Sequence, residues 1–212
     1  MTKAGILISL DNSTAMKRLF PFLILTLFFT ACAPQKTYKV GQINTRLGEI
    51  LVWLYDEAPK HKAAFLELAE SGYYDDYTFN RVIEDFVAQG GCPDTPEGFA
   101  YSIHLLEPEF RDHLTHVYGA FGAGRDDNPG KLSAACQFYI VQDKNGEHRL
   151  DGNYMIYGQV FKGMEIVDQI VKVEKDSINQ PLEAIPLDVN VVEMTAAQIA
   201  EHGFEVPANP LK

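Results

Sequence analysis

A chain of 212 residues with 46% hydrophobic side chains is long enough to bury one sizeable core and tight for two full domains. Its formal charge is −11; setting aside residues 1–31, which hold Lys3, Lys17 and Arg18 against Asp11, leaves 15 basic and 28 acidic side chains, a net −13. A body this acidic repels phosphate backbones, which argues against nucleic acid as a general partner.

The first element is a leader. In MKRLFPFLILTLFFTACAPQ, Met16 to Gln35, Lys17 and Arg18 precede thirteen nearly all apolar residues, Leu19 to Ala31. The run is short for a bilayer span but has the charged and apolar regions of a secretory signal, so residues 1–31 are expected to be a signal peptide, with Met16 the better translation start. Phe29-Thr30-Ala31-Cys32 resembles the lipobox of bacterial lipoproteins, although Phe29 stands where Leu is usual. That resemblance implies lipidation at Cys32 and an exported protein anchored in the cell envelope, at the periplasmic face or the outer membrane. Residues 32–39 then read as a polar tether. A buried helix ending in an ordinary cysteine is the plainer alternative.

Gly41 to Tyr55 alternates around a turn near Arg46-Leu47-Gly48, with Ile50, Val52 and Leu54 on one face and Leu51, Trp53 and Tyr55 on the other, and predicts a hairpin. Pro59 opens a helical segment in which Ala64, Phe65, Leu68 and Ala69 recur at helical spacing until Gly72 stops it. Short β segments follow at Thr78–Ile83, Phe86–Gln89, His116–Ala123, Gln137–Gln142, Met155–Val160 and Leu187–Met194, with a second helix at Lys162–Val171. This pattern predicts a mainly β domain over 40–195, an antiparallel barrel or sandwich, and a C-terminal extension over 196–212. Beyond Cys32, Cys92 and Cys136 either pair as a disulfide or remain two thiols. Neither shows CxxC spacing, and zinc is poorly supported.

Within TFNRVIEDFVAQGG, Thr78 to Gly91, an arginine sits among apolar residues. Strand periodicity puts Phe79, Arg81 and Ile83 on one face, Asn80 and Val82 on the other, and lets Arg81 meet the Gln89 amide across the hairpin. A neutral amide orients a guanidinium without cancelling its charge. A structural ion pair with Glu84 or Asp85 is the competing explanation.

FNRVIEDFVAQGG resembles the signature of cyclophilin-type peptidyl-prolyl isomerases; CQFYIV (Cys136–Val141) and LDGNYMIYGQVFKGMEIVDQI (Leu150–Ile170) resemble the second and third motifs in the same order. The likeness runs from about Val40 to Met194 and implies an eight-stranded antiparallel β-barrel capped by two helices. It also implies an enzyme that accelerates rotation of X–Pro bonds, with Arg81, Phe86 and Gln89 as catalytic residues. Val87, Gln137, Tyr139, Leu150 and Tyr154 would line the proline groove, and Gly124 and Arg125 the stretch that hydrogen-bonds the substrate backbone. The implied partners are proline-containing polypeptides and, through the anchor, a membrane; no metal or other cofactor is required, and a monomer is expected. Asn80, Tyr139 and Tyr154 replace a common His, Phe and His, and Arg149 stands where many eukaryotic members carry Trp, which puts tight cyclosporin binding in doubt.

The chemistry suits the arginine. Twisting an X–Pro bond out of resonance crosses a barrier of about 18–20 kcal/mol and returns a lone pair to the proline nitrogen, which a guanidinium can then hydrogen-bond selectively. A non-catalytic scaffold or holdase for proline segments, built on the same barrel, is the alternative function. His113 and His116, beside Glu109 and Asp112, offer metal-ligand spacing, and Asp126-Asp127-Asn128 offers calcium-like chemistry without an EF-hand pattern. Both read better as a solvated loop and a turn. GAFGAG lacks the strand–GxGxxG–helix context of a nucleotide site.

Overall fold

The computed structural model describes residues 35–93 and 105–207. The expected signal peptide, Cys32 and the first residues of the expected tether lie outside them. The described residues build ten strands: β1 Thr37–Thr45, β2 Gly48–Leu54, β3 Thr78–Val82, β4 Val87–Gly91, β5 Leu105–Leu106, β6 Ala120–Ala123, β7 Ser133–Ala134, β8 Gln137–Val141, β9 Met155–Lys162 and β10 Asp188–Thr195. Eight form one antiparallel sheet in the order β10-β1-β2-β9-β6-β8-β4-β3, and β5 pairs with β7 separately. The edge strands approach each other. Thr78 bridges Pro186, Phe79 N–H donates to Ile185 O at 3.0 Å, and Leu187 N–H donates to Tyr77 O at 3.0 Å, so the sheet curls into a barrel. The expected mainly β architecture is the one observed.

Alternation explains the inner face. In β2, Ile50, Val52 and Leu54 enter the main core while Trp53 packs outside with Val40 and Ile199. Helix α1, Pro59–Glu70, and helix α2, Met164–Ile170, add Phe65 and Leu68, and Val167 and Ile170, to the same core. Burying each such side chain contributes about 1.5–3 kcal/mol. Pro59 suits the first turn of α1, and the Glu109 carboxylate, 3.1 Å from Lys60 N and 3.2 Å from His61 N, supplies the cap that Ala58 cannot. At the centre of the barrel Phe65 meets Phe121 and Phe138 edge-on, and Phe79 and Tyr74 meet Phe138 likewise.

Several boundaries differ from the periodicity. Strand β1 begins at Thr37, inside the 32–39 span read as tether, because Thr37 pairs with Thr195. Strand β6 begins at Ala120 instead of His116: Ala120 N–H closes a turn on Val117 O and Gly119 has φ of 79°. The segment after β10 forms a short helix, α3 (Ala196–Ala200), with a Thr195/Gln198 capping box; Ile199 is buried and the Phe204 ring packs tilted against Trp53. Cys92 and Cys136 are joined as a disulfide, which resolves the open alternative.

Candidate active site

The β3–β4 hairpin positions the arginine, but by a bulge that the periodicity does not show. Pairing runs Phe79↔Gly90 and then Arg81↔Gln89, leaving Asn80 as the extra residue. Phe79 and Val82 both enter the core, so Arg81 lies on the face opposite Phe79, which corrects the expectation that the two share a face. The bulged Asn80 donates to Gly91 O at 2.9 Å and to Cys92 O at 3.2 Å, anchoring the end of β4. Arg81 Nη1 donates to Gln89 Oε1 at 3.3 Å, and its guanidinium carbon lies 5.7 Å from the centre of the Phe86 ring. Among the described residues Arg81 has no carboxylate partner, neither Glu84 nor Asp85. Among the described residues Gln89 Nε2 is buried with no hydrogen-bond partner.

Gln142 holds the turn before Phe86: its Oε1 accepts Asp85 N–H at 2.8 Å, its backbone N–H donates to Phe86 O at 2.7 Å, and its Nε2 donates to Asp168 Oδ1 at 2.7 Å. Asp85 takes a left-handed φ of 54° in that turn.

Strands β6 and β8 make the floor. A Cβ on Gly122 would fall 2.3 Å from the Tyr139 ring, and one on Gly124 would fall on Gln137 Oε1, so only glycine admits these side chains. Gly124 N–H already donates to Gln137 O and its carbonyl accepts from Ala134 N–H. The missing side chain opens the floor there, and of the Gly124 backbone groups only the carbonyl, which has a second lone pair, remains open to a substrate donor. Gln137 Nε2 donates to Cys92 O at 3.0 Å, tying the floor to the disulfide.

The extra hydroxyl of Tyr139 is satisfied. His116 Nε2 lies 2.7 Å from it, His116 Nδ1 lies 2.7 Å from Asp151 Oδ1, and His148 Nδ1 lies 2.9 Å from Asp151 Oδ2. Burial alone would raise Asp151, but hydrogen bonds from the His116 ring, the His116 backbone N–H and His148 outweigh it and hold the carboxyl below its ordinary value. Burial, partly opposed by Asp151, lowers the His116 imidazole, and burial raises the Tyr139 phenol well above its ordinary value. A neutral His116 must present Nδ1–H to the carboxylate, so Nε2 accepts the Tyr139 O–H. His113 instead faces Glu57 at 3.0 Å, so the two histidines diverge and do not form the metal pair their spacing suggested. Asp126 and Asn128 hydrogen-bond to each other in a turn.

The wall opposite the hairpin comes from residues 147–154. Leu150 ends a 3-10 turn, and Tyr154 N–H donates to Leu150 O. Arg149 pairs with Glu147 at 2.7 Å and lies 4.9 Å from the Phe86 ring centre. Arg125 lies 4.8 Å from the Tyr154 ring centre. Arg81, Phe86, Val87 and Gln89 from one side, Gly124, Arg125, Gln137 and Tyr139 from the floor, and Arg149, Leu150 and Tyr154 from the other side enclose one pocket of about 250 Å³. Its lining mixes apolar side chains, Phe86, Val87, Tyr139, Leu150 and Tyr154, with the polar groups of Arg81, Gln89, Arg125, Gln137 and Arg149.

Residues 40–192 match the sequence profile of the family described as cyclophilin type peptidyl-prolyl cis-trans isomerase/CLD. The chain belongs to this family. A peptidyl-prolyl cis-trans isomerase of Schizosaccharomyces pombe is 35% identical over 151 residues, covering 69% of this chain and 94% of that one. One from Acinetobacter baylyi is 30% identical over 166 residues, covering 76% of this chain and 87% of that one. The crystal structure of a Cryptosporidium parvum cyclophilin-type isomerase, determined in the presence of the dipeptide Ala-Pro, shares the fold at a TM-score of 0.62 and 24% identity, covering 74% of this chain and 99% of that one. The protein is thus a cyclophilin-type isomerase, an enzyme class defined by X–Pro bond rotation.

In this cyclophilin, sequence reasoning missed the supports behind the pocket residues. Gln142 behind Phe86 carried no signal beyond being polar, His116 behind Tyr139 stood out only for its spacing from His113, and Asp151 and Asn153, behind Tyr139 and Arg125, lie inside the third motif without any supporting role assigned. A polar residue directly after an apolar strand, as Gln142 follows QFYIV, is the one usable hint.

Proposed function

We propose that this cyclophilin accelerates X–Pro rotation by a hydrogen bond from Arg81 to the proline nitrogen as its lone pair localises in the twisted state. The observation that carries this is an Arg81 guanidinium held at the pocket wall by a neutral amide, Gln89, with no carboxylate partner among the described residues. A planar imide offers no nitrogen lone pair, so the bond forms only on the way to the transition state and lowers the barrier instead of deepening binding. Phe86, Val87, Tyr139 and Leu150 supply apolar surface for the ring, and Gln89 holds Arg81 in place through its Oε1. No proton moves, and arginine would not release one at neutral pH.

The proposed setting is outside the cytoplasm, on proteins that fold after export, with Cys32 as the lipid anchor. The leader pattern and the Cys92–Cys136 disulfide support this reading, since structural disulfides persist in oxidising compartments. X–Pro isomerisation takes tens to hundreds of seconds unaided, slow enough to limit folding there.

A stopped assay of cis-to-trans conversion in an Ala-Pro peptide tests the activity: wild type should accelerate it, and Arg81→Ala should lose about 10²–10³-fold in kcat. Binding without acceleration, or equal rates for the two proteins, would convert the reading to a proline-segment scaffold. Labelling with a radioactive fatty acid in cells should mark wild type and leave Cys32→Ala unmarked; an unmarked wild type removes the anchor.

A further inference from the structure

The pocket lining contains three guanidinium groups, those of Arg81, Arg125 and Arg149, and among the described residues no carboxylate. This concentration of positive charge belongs to a body that carries net −13 once residues 1–31 are set aside. The three are balanced differently. Arg149 is paired with Glu147. Arg81 is assigned above to the prolyl nitrogen. Arg125 is half-buried and is held by neutral acceptors throughout: Nε donates to Asn153 O at 3.0 Å, Nη2 to Asn153 Oδ1 at 3.0 Å, and Nη1 to Asp126 O at 2.9 Å and Asn128 O at 3.2 Å.

Those four bonds fix the plane of the guanidinium and leave its charge intact. A guanidinium carries five N–H donors, so one on Nη2 stays unused. Tyr154 under the group and the turn beside it keep part of its surface from water, which strengthens its attraction for an anion above that of a free surface arginine. We infer that Arg125 is a specificity-determining residue that takes the carboxylate of an Asp or Glu flanking the proline, so that the groove selects acidic prolyl segments. This rests on the isomerase reading of the same pocket. The surrounding acidic surface repels such segments at long range, but that field is screened beyond about 8–10 Å in physiological salt. Selection is therefore made at contact, and it shows in KM.

The test uses the full chain and paired peptides that differ only by Glu or Gln, placed in turn at each of the two positions before and the two positions after an Ala-Pro unit. At one position at least, wild type should favour the Glu peptide by about fivefold in kcat/KM, carried by KM, and the ratio should fall to about one in Arg125→Gln. The ratio is internal to each protein, so a general loss of activity in the variant does not affect it. Arg125→Lys should keep part of the preference, because a point charge remains without the fork. Equal turnover of Glu and Gln peptides at every position would overturn the inference and leave the isomerase standing. A preference that persists in Arg125→Gln would overturn the assignment to Arg125. Failure to accelerate any of the peptides would instead sink the isomerase reading on which the inference depends.

Discussion

The two faces of strand β8 obey different rules. Phe138 and Ile140 point inward and are fully buried, Phe138 ringed by Phe65, Phe79, Tyr74 and Phe121. Gln137 and Tyr139 point outward into the pocket floor, and each is held by a hydrogen bond to a group far away in sequence. The inner face is specified by volume, so it tolerates no missing ring. The outer face is specified by direction, and what matters there is which neutral partner holds each polar atom and which charge is left unbalanced.

Removing a ring from the inner face should have the largest effect on stability. Phe138→Ala is expected to cost about 3–5 kcal/mol in urea unfolding, because its neighbours cannot collapse into the space. A loss below about 1 kcal/mol would mean that the aromatic cluster is not interlocked. Next comes the disulfide, which joins residues 44 apart beside the floor. Replacing both cysteines by alanine should cost about 2–4 kcal/mol, chiefly by freeing the unfolded chain. On the outer face Tyr139→Phe should cost about 1–3 kcal/mol, since it leaves the buried His116 Nε2 without a partner.

Acidification sharpens the same contrast more gently. His61 and His116 are both held below the ordinary imidazole value of 6.5, chiefly by burial, with Glu109 and Asp151 opposing it. The unfolded chain therefore binds protons more readily than the folded one. Their contribution is complete above about pH 6.5 and is lost as pH falls through the lowered folded-state values. Glu109 and Asp151, themselves held below the ordinary carboxylate range, extend the loss further into acid. The urea midpoint should fall between pH 7 and pH 5, and a flat profile would contradict the neutral, buried assignment of these imidazoles.

Much of the inner face was legible in the sequence. The alternation Ile50, Val52, Leu54, the Pro59 start and Gly72 stop of α1, and the three ordered motifs are local patterns, and local patterns survive in a string. Three features were not legible. The bulge at Asn80 is decided by register against β4, and the composition of β3 gives no sign of it. The two-residue strands β5 and β7 are too short for any periodicity. The supports of the outer face join residues widely separated in sequence: Gln142 to Asp85 over 57 positions, Asp151 to His116 over 35, Asn153 to Arg125 over 28. Such pairings exist only once the barrel has closed.

The central claim is that Arg81 favours the twisted bond over either planar isomer, and NMR exchange spectroscopy on a saturated complex with a prolyl peptide separates that from simple binding. For Arg81→Lys and Arg81→Ala the rate of cis–trans exchange on the enzyme should drop by about 10²-fold or more, with the peptide Kd changed by less than about threefold. An unchanged exchange rate accompanied by a large rise in Kd would show that Arg81 only holds the ground state, and would contradict the account.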